Sequence, residues 1–167
     1  MRRPERRALL AALAASAGAA LLTGCGFELR RPPRLAFGSI ALTGFAARSP
    51  LALALRKELA LQVKVLEGPD KADVVLQAVE DLRDKSVVAT TAAAQVREFT
   101  LRLRFTFRAH TPAGRELIPR AELLLTRDLS YTELFALAKE QEEADLYREM
   151  QSDVVAQVLR RLAAVHV

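Results

Sequence analysis

The stretch that constrains the fold most is residues 97–110, because the side chains of residues 98–110 alternate strictly between polar and apolar. The apolar positions are Phe99, Leu101, Leu103, Phe105, Phe107 and Ala109, and the polar positions are Glu98, Thr100, Arg102, Arg104, Thr106, Arg108 and His110. Successive side chains of a strand point to opposite faces of a sheet. The pattern therefore predicts a long strand with one buried face and one open face.

Other strand signals lie on both sides of this stretch. Residues 35–43 and 63–66 are short β-rich runs. Residues 74–82 and 86–91 are two further runs on either side of Arg83-Asp84-Lys85, which predicts a hairpin that turns at those three residues. Residues 115–129 form another predicted strand, in which Pro119 cannot donate a ladder hydrogen bond and so indicates an edge strand or a bulge.

Two segments have the apolar spacing of helices. Leu51, Leu55 and Leu59 follow Ser49-Pro50, which suits a helix cap and first residue, and this helix is expected to end near residue 61. A second stripe predicts a long helix to about residue 164, with acidic residues 140–145 in its first turns, where the helix dipole favours negative charge. Its members are Leu146, Met150, Val154, Val158 and Leu162. We therefore predict an α+β fold, a two-layer sandwich in which a mostly antiparallel sheet of about four strands carries two helices on one face.

The N-terminus has the three parts of a secretory signal. A basic stretch at residues 2–7 precedes an apolar run at residues 8–22, which is shorter than the ~20 residues of a membrane span. The run ends in Leu22-Thr23-Gly24-Cys25, which resembles a bacterial lipoprotein signal and contains the chain's single cysteine. We expect removal of residues 1–24, a lipid on Cys25, a tether at 25–33 and one periplasmic α+β domain at 34–167. The alternative is an ordinary signal peptide with an incidental cysteine.

Charge and compartment narrow the classes of partner. The first 24 residues hold four arginines and one glutamate, so +3 of the net charge of +5 belongs to them and +2 remains. This mild charge and an exported location argue against nucleic acid. Gly26 follows the cysteine, where enteric lipoproteins retained in the inner membrane have Asp, so the outer membrane is favoured. The sequence leaves export by the Sec or the twin-arginine route open.

The sequence contains no recognisable catalytic or metal motif. Its two histidines, His110 and His166, are far apart in the chain, and no G-x-S-x-G nucleophile motif is present. We therefore expect no enzyme activity, no metal and no cofactor other than the lipid on Cys25. A lipid-anchored hydrolase would need a nucleophile and a base that the sequence does not offer.

The polar side of the long strand carries three arginines, Arg102, Arg104 and Arg108. One interpretation is a solvated sheet face, on which the aliphatic parts of the arginines cover apolar surface. The other is contact with an anionic partner, because guanidinium groups bind phosphate in a bidentate manner.

Four sets of residues in the mature chain form a recognisable combination of motifs. They are Cys25-Gly26-Phe27-Glu28-Leu29-Arg30, Glu98-Phe99-Thr100-Leu101, residues 135–143 (FALAKEQEE), and Met150, Asp153, Gln157 and Leu159-Arg160-Arg161-Leu162. Together they resemble the lipopolysaccharide-assembly lipoprotein family, LptE. The order of elements across the mature chain also agrees with that family. The resemblance implies a non-enzymatic plug inside the outer-membrane barrel LptD, which helps the barrel to fold and takes part in delivering lipopolysaccharide to the outer leaflet.

The resemblance also implies a place for lipopolysaccharide binding. The family binds it through basic residues near a hairpin tip and before the last helix, and Lys139 matches the second position. The first position is not matched, because residues 89–94 read Ala-Thr-Thr-Ala-Ala-Ala, so Lys85 or Arg97 would have to substitute nearby. The alternative for Lys139 is an ordinary surface charge. The alternative for the whole chain is an auxiliary lipoprotein of an ABC-type lipid transport system.

Overall fold

The long alternating stretch is an interior strand of a five-stranded sheet. The computed structural model describes residues 33–166, so Cys25, the predicted signal and residues 25–32 of the predicted tether lie outside the described part. The elements are β1 (Ser39–Thr43), α1 (Pro50–Leu59), β2 (Lys64–Leu66), β3 (Val74–Thr90), β4 (Val96–His110), β5 (Glu116–Ser130), a 3-10 turn at Glu133–Phe135 and α2 (Ala136–Ala163).

The strands lie in the order β2-β1-β3-β4-β5. β1 is parallel to β2 and β3, whereas β4 is antiparallel to β3 and β5. The buried residues of both helices join those of the sheet in one apolar core. The predicted α+β fold is confirmed, with five strands rather than the roughly four expected. The short strand predicted at residues 63–66 is present as the edge strand β2, beside β1.

The core lies between the helices and one face of the sheet, the helix face. Leu101, Leu103, Phe105, Phe107 and Ala109 of β4 are all 0 % exposed and lie on this face, as the alternation predicts. The helix stripes pack against them, with Leu51, Leu55 and Leu59 from α1 and Met150, Val154, Val158 and Leu162 from α2. Phe105 stacks between Phe45 and Phe107 at ring-centroid distances of 5.8 and 5.2 Å.

The predicted hairpin turn at Arg83-Asp84-Lys85 is wrong, because β3 continues through these residues to Thr90. Each of the three side chains has a partner that a strand provides. Arg83 lies over the Tyr147 ring at 5.1 Å and donates to Gln151 at 2.6 Å. Asp84 pairs with Arg102, and Lys85 pairs with an acidic residue of α2. A run of charges without Gly, Pro or Asn has no turn chemistry that would end the strand.

The start of α2 also differs from the expectation. The helix begins at Ala136, directly after the 3-10 turn, and its first turn contains no acidic residue. The acidic residues 140–145 therefore begin in the second turn, where the dipole acts weakly. Two of them, Glu142 and Glu143, instead form ion pairs with lysines.

Two smaller predictions from single residues are confirmed. β5 is an edge strand, and its register with β4 shifts beside Pro119, between the pairs Phe107–Ala121 and Ala109–Ile118. Ser49 caps α1, because its Oγ accepts from the backbone N–H of Ala52 at 3.1 Å.

A clasp ties the start of β1 to the start of β3. The Asp73 carboxylate accepts from the backbone N–H groups of Gly38 and Ser39 at 3.0 and 2.8 Å and from the Ser39 hydroxyl at 2.9 Å. The Ser39 hydroxyl is the main reason that the pKa of Asp73 lies below its ordinary value of 3.8, and the two backbone donors act in the same direction.

The Asp73 clasp predicts a specific acid sensitivity. Because the pKa of Asp73 is lower in the folded chain than in the unfolded chain, its contribution to stability is present above the unfolded value of 3.8 and is lost as the pH falls through the folded value. We expect Asp73→Asn to lower stability at neutral pH and to flatten the acid decline in urea unfolding. Asp70→Asn, at an exposed residue of the same loop, is the control. An unchanged pH profile for Asp73→Asn would contradict the clasp.

The assignment of the two sheet faces predicts the effect of charge at two positions. We expect Phe105→Asp to abolish cooperative unfolding, because it buries an unpaired carboxylate at a side chain that is 0 % exposed. Such burial costs several kcal/mol, out of the ~5–15 kcal/mol that stabilises a typical domain. Thr126→Asp adds the same charge on the opposite face, next to Arg102, and should shift the thermal midpoint by less than about 2 °C. A normal melt of Phe105→Asp by circular dichroism would show that the faces are inverted.

Candidate functional site

The three arginines singled out in the sequence lie together on the open face of the sheet. Arg102 donates to Asp84 at 3.1 Å and to Ser86 at 2.9 Å, both on β3. Arg108 donates at 2.8 Å to Gln77, which is its register partner on β3. These arginines therefore already have cross-strand partners within the chain.

Arg104 occupies the centre of the open face. Its register partners are Leu82 on β3 and Leu124 on β5, which are 47 % and 49 % exposed. Its guanidinium group lies 3.9 Å from Glu80 and 3.7 Å from Glu122, and its Nε is buried without a hydrogen-bond partner among the described residues. One arginine thus lies between two exposed leucines and two carboxylates.

The open face as a whole balances its charges internally. Besides the arginine pairs, Thr100 donates to Asp128 on β5 at 2.8 Å. Exposed pairs of this kind stabilise a fold by at most about 1 kcal/mol each, so their main effect is on the character of the surface. Apart from Leu82 and Leu124, the face is polar, and its arginines lie beside carboxylates or an amide, so it is not a bare cationic patch.

Lys85 lies on the helix face, where it connects β3 to α2. Its Nζ is 2.5 Å from the Glu143 carboxylate and 4.1 Å from the centre of the Phe99 ring. Its side chain is 34 % exposed. With an ion pair and an aromatic ring as neighbours, this ammonium group primarily holds the first half of α2 against the sheet.

Lys139 was predicted to lie before the last helix, but it lies in the first turn of α2, which begins at Ala136. Its Nζ donates to Ser130 Oγ at 3.0 Å and to Glu142 at 2.7 Å, and its side chain is 17 % exposed. Ser130 is the last residue of β5, so Lys139 bridges the two ends of the connection from β5 to α2. An ammonium group has three donors, which leaves one N–H for another acceptor.

Arg97 is the exposed member of the three predicted binding residues. It is the second residue of β4, just after the β3–β4 turn, and its carbonyl accepts from the Tyr131 backbone N–H at 2.8 Å. Its side chain makes no hydrogen bond or ion pair with another residue of the described part, and it lines a shallow groove with Gln95, Thr132 and Glu133. Lys85, Arg97 and Lys139 therefore share one end of the molecule but do not converge on one point.

This end, which we call the distal end, consists of the β3–β4 turn and the connection from β5 to α2. The opposite end holds the start of β3, the β4–β5 turn and the end of α2. Sequence reasoning missed that the connection exposes Leu134 and Phe135 and that the first turn of α2 exposes Leu137. One sign of this exposure is present in the sequence. These three apolar residues precede the i+4 stripe of α2, which begins at Leu146, and are not part of it.

Both hairpins close with the same five-residue turn. In the distal turn, Thr91 N–H donates to the Gln95 carbonyl at 2.8 Å and Gln95 N–H donates to Thr91 Oγ1 at 3.1 Å. Thr111 and Arg115 repeat the two bonds at 2.9 and 3.1 Å. The fourth residue has a positive φ in both turns, 59° at Ala94 and 89° at Gly114. The distal turn therefore places a side chain in a conformation that favours glycine.

The groups considered for catalysis remain separate. Within residues 33–166, no group of three or more potential ligands could hold a metal ion. His110 and His166 each lie against a nearby backbone carbonyl. Burial raises the pKa of Tyr147, whose hydroxyl donates to the Asp84 carbonyl at 2.8 Å. Tyr147 is therefore explained as a packing residue.

Comparison with known proteins gives the family. The family model described as LptE, lipopolysaccharide-assembly, matches residues 37–162, which run from just before β1 almost to the end of α2. The chain belongs to the LptE family. The resemblance inferred from the motifs is therefore confirmed, and the chain is a member of a lipopolysaccharide-assembly lipoprotein family.

The chain is similar to one curated LptE protein and to two solved lipoprotein structures. The chain is 30% identical over 149 residues to the LPS-assembly lipoprotein LptE of Yersinia enterocolitica, which covers 86% of this chain and 70% of that relative. The NMR structure of lipoprotein B from Nitrosomonas europaea is 32% identical to this chain, with a TM-score of 0.71. The match covers 83% of this chain and 91% of lipoprotein B. Rare lipoprotein B of Shewanella oneidensis shares the fold, with a TM-score of 0.64 at 23% identity over 76% of this chain and 95% of its own.

The two turns of this LptE-family domain provide a matched pair of substitutions. We expect Ala94→Gly to raise the free energy of unfolding and Gly114→Ala to lower it, each by about 0.5–1 kcal/mol, because only glycine adopts positive φ without cost. A Cβ at position 114 would meet nothing within 4 Å, so the loss there reflects backbone conformation alone. Urea unfolding measures both variants. A stability change of the same sign in the two variants would contradict the shared turn geometry.

Proposed function

We propose that this chain is an outer-membrane lipoprotein that occupies the lumen of the LptD barrel, assists its assembly and takes part in delivering lipopolysaccharide to the outer leaflet. The observation that carries this proposal is that the LptE match spans residues 37–162, nearly the whole of the described domain. In this role the chain acts by binding and not by catalysis.

The open face supports the barrel part of the proposal. The interior of a wide barrel is polar, so an insert needs a polar outer surface. The open face offers arginines paired to acidic residues, together with hydroxyl groups, and therefore little net charge to desolvate. Enclosure would also protect the long edge strand β5, whose unpaired backbone groups are otherwise open to strand addition. Arg102, Arg104 and Arg108 are the residues that we place against the barrel wall.

The N-terminal sequence supports the anchor. We propose that residues 1–24 are removed, that Cys25 carries the lipid, and that residues 25–33 tether a periplasmic domain at 34–167. A tether of nine residues reaches at most about 30 Å. In the described part of the chain, neither helix combines the length and the apolar character that crossing a membrane requires.

Lys139 and Arg97 support the ligand part. Lys139 retains one free N–H beside Glu142, and a phosphate that approached it would compete with that carboxylate. Arg97 presents an exposed guanidinium group at the same end. We propose that both bind lipopolysaccharide phosphates, and that Lys85 contributes less because Glu143 and Phe99 already surround its ammonium group.

A tagged chain isolated in detergent from native membranes tests both parts of the proposal. We expect the wild type to retain a barrel-sized, heat-modifiable partner and lipopolysaccharide. Lys139→Gln should retain the barrel and lose lipopolysaccharide about tenfold to a hundredfold, because a charge-assisted hydrogen bond contributes ~1.5–3 kcal/mol.

The control for this experiment is Lys57→Gln, which removes a positive charge from an exposed position of α1. It should match the wild type in both readouts. Recovery of inner-membrane transporter subunits instead of a barrel would replace the proposal with the auxiliary-lipoprotein alternative. Unchanged lipopolysaccharide on Lys139→Gln would leave this lysine with its structural role only.

A further inference from the structure

The distal end exposes more apolar side chain than the fold requires. Leu134 and Leu137 are each 82 % exposed and Phe135 is 58 % exposed, and we call these three residues the distal apolar segment. A leucine that stays in water forgoes the burial that drives folding, and grouped apolar exposure commonly marks an interaction site. The neighbouring hairpin turn adds Ala92, Ala93 and Ala94, which are exposed as well.

The chain holds this segment in place from both sides. On one side, the Tyr131 N–H donates to the Arg97 carbonyl, and the Tyr131 ring packs edge-on against Phe99 at 5.2 Å. On the other side, Lys139 donates to Ser130. The segment begins as a 3-10 turn and continues into α2. Its exposure is therefore a property of regular, anchored backbone.

Cations border the distal apolar segment. Arg97 shares a groove with Thr132 and Glu133, directly before Leu134. Lys139 follows Phe135 by four residues, which places both on one side of the helix start. An apolar surface with positive charges at its margin complements an amphiphile that has negative headgroups and acyl chains.

We propose that the distal apolar segment binds the acyl chains of the same anionic glycolipid whose phosphates the proposed function assigns to Arg97 and Lys139. This rests on the proposed function, which supplies lipopolysaccharide as the ligand, and it adds the part of the ligand that each group contacts. The barrel wall is the less suitable occupant, because a polar lumen offers no apolar surface to cover these side chains.

Binding of two probes to the full lipidated chain in detergent tests the assignment. One probe is intact lipopolysaccharide, and the other is the same molecule after chemical removal of its acyl chains. We expect the double variant Leu134→Gln/Leu137→Gln to lose about tenfold in affinity for the intact probe and less than twofold for the deacylated probe. Gln keeps the length and helix propensity of Leu, so an unchanged thermal midpoint is expected as well.

Leu61→Gln is the matched control, because this leucine is 76 % exposed just after α1. It should leave both affinities unchanged. An unaltered affinity of the double variant for intact lipopolysaccharide, or an equal loss for both probes, would overturn the inference and leave the proposed function standing. If the double variant no longer associated with the barrel but still bound lipopolysaccharide, that result would also overturn the inference. Failure of the wild type to bind either probe would remove the ligand part of the proposed function itself.

Discussion

The structure depends on the burial of one row of β4 side chains beneath α2. Five of the six apolar residues in the row from Phe99 to Ala109 are 0 % exposed. A 15-residue strand spans about 50 Å and a 28-residue helix about 42 Å, so a single helix nearly matches the strand in length. This match explains why the second helix is so long, whereas the 10-residue α1 covers only the β1 side of the sheet.

The long strand β3 fits on the helix face because its polar side chains pair with residues of the helix layer. Ser49 donates to Asp81 at 2.6 Å while it caps α1, and Gln151 accepts from Arg83 and donates to the Pro50 carbonyl at 2.9 Å. Lys85 and Glu143 continue this line toward the distal end. These contacts join β3 to both helices. They provide partners for the polar side chains of β3, which the apolar row of β4 does not.

An element of this fold was predictable when the interactions that define it are local in the sequence. Period-two alternation and an i+4 stripe are local patterns, so β4, α1 and the buried face of α2 could be identified from the sequence. β3 could not, because Arg83 and Lys85 belong in a strand only once Tyr147 and Glu143, about 60 residues later, are in place. The face of each open-side arginine was predictable, but its partners were not, since they depend on register shifts near Val79 and Val88.

The candidate surfaces differ in chemistry for a reason that lies in the two-layer architecture. The open face has no second layer over most of its length, so its side chains are satisfied within the sheet by cross-strand pairs. At the distal end both layers stop, because the connection from β5 to α2 lies beyond the apolar row. Among the described residues, Leu134 in this connection and Leu137 in the first turn of α2 have no facing layer to pack against. Polar pairing on the face and apolar exposure at the end therefore suit two different neighbours, a polar wall beside the sheet and an apolar ligand beyond it.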